Sequence, residues 1–298
     1  MTSTTTVSKD GPFSGLRRMI SAEMLKLINR TMTKVFLIII VVVIALANVL
    51  IFAATNKNPV FSPQGVTGAP DLLSSAIPSA LSIISFFGLF LAAIYIASSV
   101  GNEYGWKTIR TELISSESRF KFLTAKLVSL SVFIILGMLI AVLVGFVTRL
   151  ISVGVGGYSY NFSFFTGTYA WNEFLQFWRT FFVIMPYGLL GFMMAIVGRS
   201  SMPGIATSIG VFFLESIVTA IMRSVNGWIS HVPDYLLSAN VNAIQALNNQ
   251  SSTVRVNGNG GTNAGLPSVP HAFIVLSIYS LAFLALGYYL FKKRDITG

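Results

Sequence analysis

The chain has no cysteine, only two histidines and only ten acidic residues among 298. The missing cysteines exclude a disulfide framework, a thiolate metal site and cysteine nucleophiles, and two isolated histidines offer no cluster for a transition metal. Charge of either sign is scarce, at 10% of the chain, where an ordinary soluble domain carries about 25%. Thirty charged side chains cannot cover a 32.3 kDa water-exposed surface, so an ordinary soluble globular protein is excluded. What abounds instead is apolar: 54% of residues are hydrophobic and the mean hydropathy is +0.74. Lipid is the solvent for most of this chain.

A bilayer core of about 30 Å needs roughly 20 mainly apolar residues in a helix. Six runs qualify, at about 35–54, 77–100, 127–153, 181–197, 203–222 and 272–291. They are continuous rather than alternating, which excludes a β-barrel. The predicted fold is therefore an all-α integral membrane protein with six transmembrane helices. Thirty-four residues precede the first run, too many for a cleaved signal peptide, so it reads as a retained span.

An even number of spans puts both termini on one side, and basic residues choose that side. With both termini cytoplasmic, the inner segments hold Lys9, Arg17, Arg18, Lys26, Arg30, Lys34, Lys107, Arg110, Arg119, Lys121, Lys126, Arg199, Lys292, Lys293 and Arg294, fifteen of the twenty basic residues. Lys57, Arg149, Arg179, Arg223 and Arg255 fall outside. The net charge of +10 thus reads as topology and contact with anionic lipid, not as nucleic-acid binding. The expected location is the plasma (cytoplasmic) membrane, multi-pass.

Residues 1–13 read as a disordered tail and 14–34 as an interfacial connecting helix. Leu16, Met19, Ile20, Met24, Leu27 and Ile28 form one apolar helical stripe, interrupted by Glu23. Between spans two and three, residues 101–125 are too long for a plain connector and mix Trp106, Ile109, Leu113, Phe120 and Phe122 with charges. That pattern suits either a partner-docking surface or a membrane-hugging connector. Gly101, Gly105, Lys107 and Thr108 only approach a phosphate-binding loop: the glycine spacing is short, Trp106 intervenes, and a membrane helix precedes where a strand is needed. No ATP-binding motif or catalytic constellation emerges.

On the other side, residues 152–180 carry Tyr158, Tyr160, Phe162, Phe164, Phe165, Tyr169, Trp171 and Trp178, predicting a loop at the membrane surface. Residues 223–271 combine a helical pattern over 235–247 with a glycine- and asparagine-rich stretch. Gly137, Ala141 and Gly145, and likewise Gly191 and Ala195, have the four-residue spacing that lets helices approach closely in lipid. Glu215 stands about twelve residues into span five, with Arg223 on roughly the same helix face. A carboxylate there is costly, which leaves an ion pair with an arginine, a polar translocation path or proton coupling.

Three short motifs carry a family likeness. Ala22-Glu23-Met24-Leu25-Lys26 resembles the E-x-x-K of the connecting helix in the ABC transporter type-2 permease family. Glu103-Tyr104-Gly105-Trp106-Lys107-Thr108-Ile109-Arg110 resembles that family's E-x-x-x-x-T-[IL]-R segment, with Ser118-Arg119 and Ala125-Lys126 following. Phe291-Lys292-Lys293-Arg294-Asp295-Ile296 resembles its F-x-x-R-D-[IL] ending. The resemblance spans essentially the whole chain and implies the permease subunit of an ATP-driven exporter, without enzymatic activity of its own. It implies a coupling helix between spans two and three containing Glu103, Tyr104, Gly105, Thr108 and Arg110, and a connecting helix containing Glu23 and Lys26. It further implies re-entrant helices in the last outer segment. The implied partners are two ABC ATPase subunits, which would hold ATP and Mg, and a second permease copy or sister subunit; no cofactor is expected in this chain. An ion-coupled secondary transporter and a non-conducting accessory subunit of an ATPase complex are the rival readings.

Overall fold

A computed structural model describes residues 14–57, 69–106, 118–225, 227–251 and 266–293. Among these, every regular element is a helix: α1 (Ser14–Asn29), α2 (Thr31–Lys57), α3 (Ala69–Ser74), α4 (Ala76–Gly105), α5 (Arg119–Val155), α6 (Gly167–Gly198), α7 (Ser201–Ser224), a 3₁₀ helix (Trp228–Tyr235), α8 (Leu237–Ser251) and α9 (Val269–Lys293). Six of them, α2, α4, α5, α6, α7 and α9, are long and apolar enough to cross a membrane. They coincide in order with the six predicted spans. The predicted tail 1–13, residues 107–117 of the predicted coupling loop and the glycine- and asparagine-rich stretch lie outside the described residues.

Helix ends differ from the predicted spans for identifiable reasons. α5 begins at Arg119, eight residues before the apolar run, because Ser118 caps it: its hydroxyl accepts the Lys121 backbone N–H at 3.2 Å. Lys126 is thereby carried inside the bundle. α6 begins at Gly167, capped by Thr166, whose hydroxyl accepts from the Tyr169 backbone N–H at 3.2 Å. This corrects the expected surface loop over 152–180, whose second half is helix. On that helical half, Glu173, Gln176 and Thr180 face inward, while Trp171, Phe174 and Trp178 face out. The polar stripe breaks the hydropathy run without breaking the helix.

α4 is the central helix and packs against α2, α5, α6 and α7. The small residues let the axes close up. A Cβ built on Gly145 of α5 would stand 2.7 Å from Ala80 Cβ of α4, and one on Gly204 of α7 would stand 2.5 Å from the Gly191 carbonyl of α6. A residue larger than glycine would part these helices. Phe36 of α2 stacks on Tyr95 of α4 at 4.6 Å between centroids. α6 and α7 join through Arg199, held in the left-handed region at φ 51°, a conformation usually left to glycine at a helix C-terminus.

The two ends of the bundle differ in charge. Around α1 and the α6–α7 turn, the described residues include eleven basic side chains, Arg17, Arg18, Lys26, Arg30, Lys34, Arg119, Lys121, Lys126, Arg199, Lys292 and Lys293, against two acidic ones, Glu23 and Glu103. The opposite end balances Arg149, Arg179 and Arg223 with Glu173, Glu215 and Asp234.

Candidate functional site: a buried charge cluster at the basic end

α1 and α2 meet at Arg30, the one residue between them. There the turn tightens: the Arg30 N–H donates to Leu27 O at 3.2 Å, and Thr33 N–H donates back to Arg30 O at 3.1 Å. The bend lays α1 against α5 and α2 and points three side chains of one short stretch, Glu23, Lys26 and Arg30, toward the end of α4.

Their target is Glu103. One of its carboxylate oxygens, Oε1, accepts from Lys26 Nζ at 2.9 Å, from Arg30 Nη2 at 3.0 Å and from Lys126 Nζ. Glu23 closes the ring, 3.6 Å from both Lys26 Nζ and Lys126 Nζ. The side chains of Glu103 and Lys126 are each 1% exposed. At that depth neither charge is tolerable alone, so the cluster is held by mutual dependence. Among the described residues three cations face two carboxylates.

Five residues from α1, the α1–α2 bend, α4 and α5 are thus tied at one point. The interruption that Glu23 makes in the apolar stripe of α1 is explained here: Glu23 is buried because Lys26 and Lys126 meet it. Arg30 also donates from Nη1 to the Ser99 carbonyl and hydroxyl, both at 3.3 Å, and its guanidinium lies 5.7 Å from the Trp106 ring centroid.

The predicted site residues divide into three groups. Glu23, Lys26 and Glu103 converge. Tyr104 packs half-buried against the core, and Gly105 is exposed with open space where a side chain would stand. Thr108 and Arg110 lie outside the described residues, as do Ile109 and Leu113. Of the aromatic anchors, Trp106 and Phe120 are exposed, but Phe122 is buried and stacks on Phe291 at 6.4 Å; it serves the core and not a docking surface. Arg30 and Lys126 read in the sequence as topology determinants, and that reading does not reach their role in the cluster. The signal for Lys126 is its place inside a helix that Ser118 starts early.

A family profile described as "Protein of unknown function (DUF2705)" matches residues 38–297, most of the chain. The chain belongs to the DUF2705 family. Among curated proteins it is similar to "Uncharacterized protein YhcI" of Bacillus subtilis (strain 168), 26% identical over 219 residues. That match covers 71% of this chain and 65% of YhcI, so just under two thirds of the relative is spanned. The DUF2705 match includes Glu103 and Lys126, while Glu23, Lys26 and Arg30 precede it.

Toward the opposite end of this DUF2705 chain stands a half-buried carboxylate, Glu215. Glu215 Oε2 accepts the Ser238 backbone N–H at 2.7 Å. Ser238 lies in the first turn of α8, so Glu215 meets a helix N-terminus, where unpaired N–H groups and the helix dipole both favour negative charge. Arg223 pairs with Asp234 at 3.6 Å instead. The predicted Glu215–Arg223 ion pair is therefore corrected: each has a different partner, and the partner of Glu215 is backbone, which no charge pattern displays.

Glu215 stands nine residues before the end of α7, about 13 Å along the axis. By holding the start of α8 there it keeps that helix within the bundle. Further ties secure it: Gln245 Nε2 donates to Ser85 O at 2.9 Å, Asn240 Nδ2 donates to Asp234 O at 2.8 Å, and the Tyr279 hydroxyl donates to Tyr235 O at 3.2 Å. The helical pattern predicted over 235–247 is realised as the end of the 3₁₀ helix followed by α8.

Proposed function

We propose that this chain is the membrane-spanning permease subunit of an ATP-driven ABC exporter, forming a translocation pathway as a dimer and driven by separate ATPase subunits. The observation that carries the reading is the Glu103 cluster. It binds the helix preceding the first span to the last turn of α4, where Glu103, Tyr104 and Gly105 open the stretch to Arg110 that the family resemblance makes the coupling helix. Force applied to that segment from outside the bundle reaches α1, α2 and α5 through one buried carboxylate. ATP binding drives transport only by favouring one of two membrane arrangements, and a charge cluster shared by four segments supplies such a link.

The charge asymmetry supports a cytoplasmic orientation for the Glu103 end, where eleven of the described basic residues gather. That is the side on which ATPase subunits and ATP are found. The chain contributes positioning and coupling, and the hydrolytic chemistry belongs to the partner.

The decisive experiment is affinity purification of the chain from its native membrane in mild detergent, with partners identified by mass spectrometry and ATP hydrolysis assayed. A stoichiometric ATPase is expected, with or without a second permease. A chain that purifies alone after mild crosslinking overturns the proposal. Lys26→Met then tests the cluster itself: Lys26 is its most exposed cation, so the protein still folds, and ATPase activity in the complex falls while subunit stoichiometry holds.

A further inference from the structure

Beside the charge cluster, on the other side of the Arg30 guanidinium, is a cavity of about 210 Å³ lined by Leu27, Arg30, Thr31, Met32, Thr33, Tyr95, Ser99, Asn102 and Trp106. At about 30 Å³ per water it holds roughly seven waters, which is below the about 300–1,000 Å³ of a drug-sized ligand site and suits a small head group. Residues carrying hydrogen-bond donors stand among its lining: Arg30, Trp106, Asn102, Thr31, Ser99 and the Thr33–Tyr95 pair, whose hydroxyls are 3.2 Å apart. Among the described residues no carboxylate lines it. Basic side chains outnumber acidic ones among the described residues at this end.

We propose that this cavity is a binding site for a phosphate group. Arg30 is already ordered there, since Ser99 and Glu103 hold its two terminal nitrogens at 3.0–3.3 Å. The rest of its planar fork of donors faces an anion with little further ordering. The rim is formed by exposed Thr31, Met32 and Trp106, and tryptophan favours the membrane–water boundary. A lipid phosphate can enter from the boundary with its acyl chains left along exposed Met32; a soluble phosphate can enter from water. The site stands independently of the exporter reading, because it needs only the geometry of Arg30, Ser99, Asn102 and Trp106.

The test uses the purified, delipidated full-length chain in detergent, titrated with dioctanoyl phosphatidic acid, with dioctanoylglycerol and with inorganic phosphate. Binding is read by thermal shift and native mass spectrometry. Phosphatidic acid is expected to bind at least about tenfold more tightly than dioctanoylglycerol, which differs from it only in the phosphate. Arg30→Gln disturbs the charge cluster as well as the cavity, so Asn102→Leu and Trp106→Leu carry the decision, each weakening phosphatidic acid by about three- to tenfold. Lys292→Gln, at the same basic end but away from the cavity, leaves affinity within about twofold. Displacement of the lipid by inorganic phosphate supports the site with an aqueous source, and failure to displace it supports a lipid source. Equal binding of the two lipids, or wild-type affinity in both Asn102→Leu and Trp106→Leu, overturns the proposal.

Discussion

Glu103 is buried at one end of this bundle and Glu215 half-buried at the other, and the two carboxylates are stabilised by different means. Glu103 is surrounded by side-chain cations drawn from three other places in the chain. Glu215 faces the start of a single helix and accepts a backbone N–H. The first arrangement locks several segments together, and Glu103 and Lys126, each 1% exposed, cannot part without stranding a charge in low dielectric. The second fastens one helix through its backbone and can be released without uncovering an opposing charge. A firm basic end and a detachable opposite end is the arrangement expected where force enters at one end and opening occurs at the other.

The largest expected effect comes from Glu103→Ala. It leaves Lys126 buried without its closest counter-charge and costs about 3–5 kcal/mol, read as loss of folded, detergent-stable protein. Replacing both partners, as in Glu103→Met with Lys126→Met, recovers a large part of that loss, since a buried pair exchanged for apolar residues is often neutral. A double variant no more stable than Glu103→Ala would show that Lys26 and Arg30, not Lys126, dominate the cluster.

Next comes Glu215→Leu, which removes the acceptor at the start of α8 and costs about 1–3 kcal/mol. Hydrogen exchange is expected to speed up in α8 while α4 and α5 keep their protection. Glu215→Gln retains an acceptor oxygen and separates two roles: altered transport with folded protein intact favours a translocation path, and loss of folded protein favours the fastening described above. The smallest effect belongs to Arg223→Ala, which breaks a partly exposed ion pair worth about 0–1 kcal/mol. In about 1 M salt, where the screening length falls to about 3 Å, that variant and the wild type become indistinguishable in stability, whereas the Glu103 variants keep their deficit.

Much of the fold is legible in the sequence because each span is a run of apolar residues long enough for lipid, and such runs need no knowledge of neighbours. The start of α6 is not, because Glu173, Gln176 and Thr180 are buried and the aromatics face outward, the reverse of the pattern that marks a span. The candidate site is half legible. Glu23, Lys26 and Glu103 stand out by likeness to a family motif, but nothing in their spacing tells that they meet, since 77 residues separate Lys26 from Glu103. Arg30 and Lys126 are hidden by a sufficient simpler explanation, the basic flank of a span. The partner of Glu215 is invisible in principle: nearly every position carries a backbone N–H, and only the path of α8 selects which one arrives.

Within α7 only Gly204 and Ser208 are buried, both toward its start. The sixteen residues after Ser208 extend about 24 Å beyond it. Past Val211 and Phe212, which still touch the core, the helix is a lever, and its fulcrum is the place where Gly204 meets Gly191. A tilt of about 10° around that contact carries the far end of α7, about 30 Å away, through about 5 Å, roughly one helical turn, and Glu215, partway along the arm, draws the start of α8 with it.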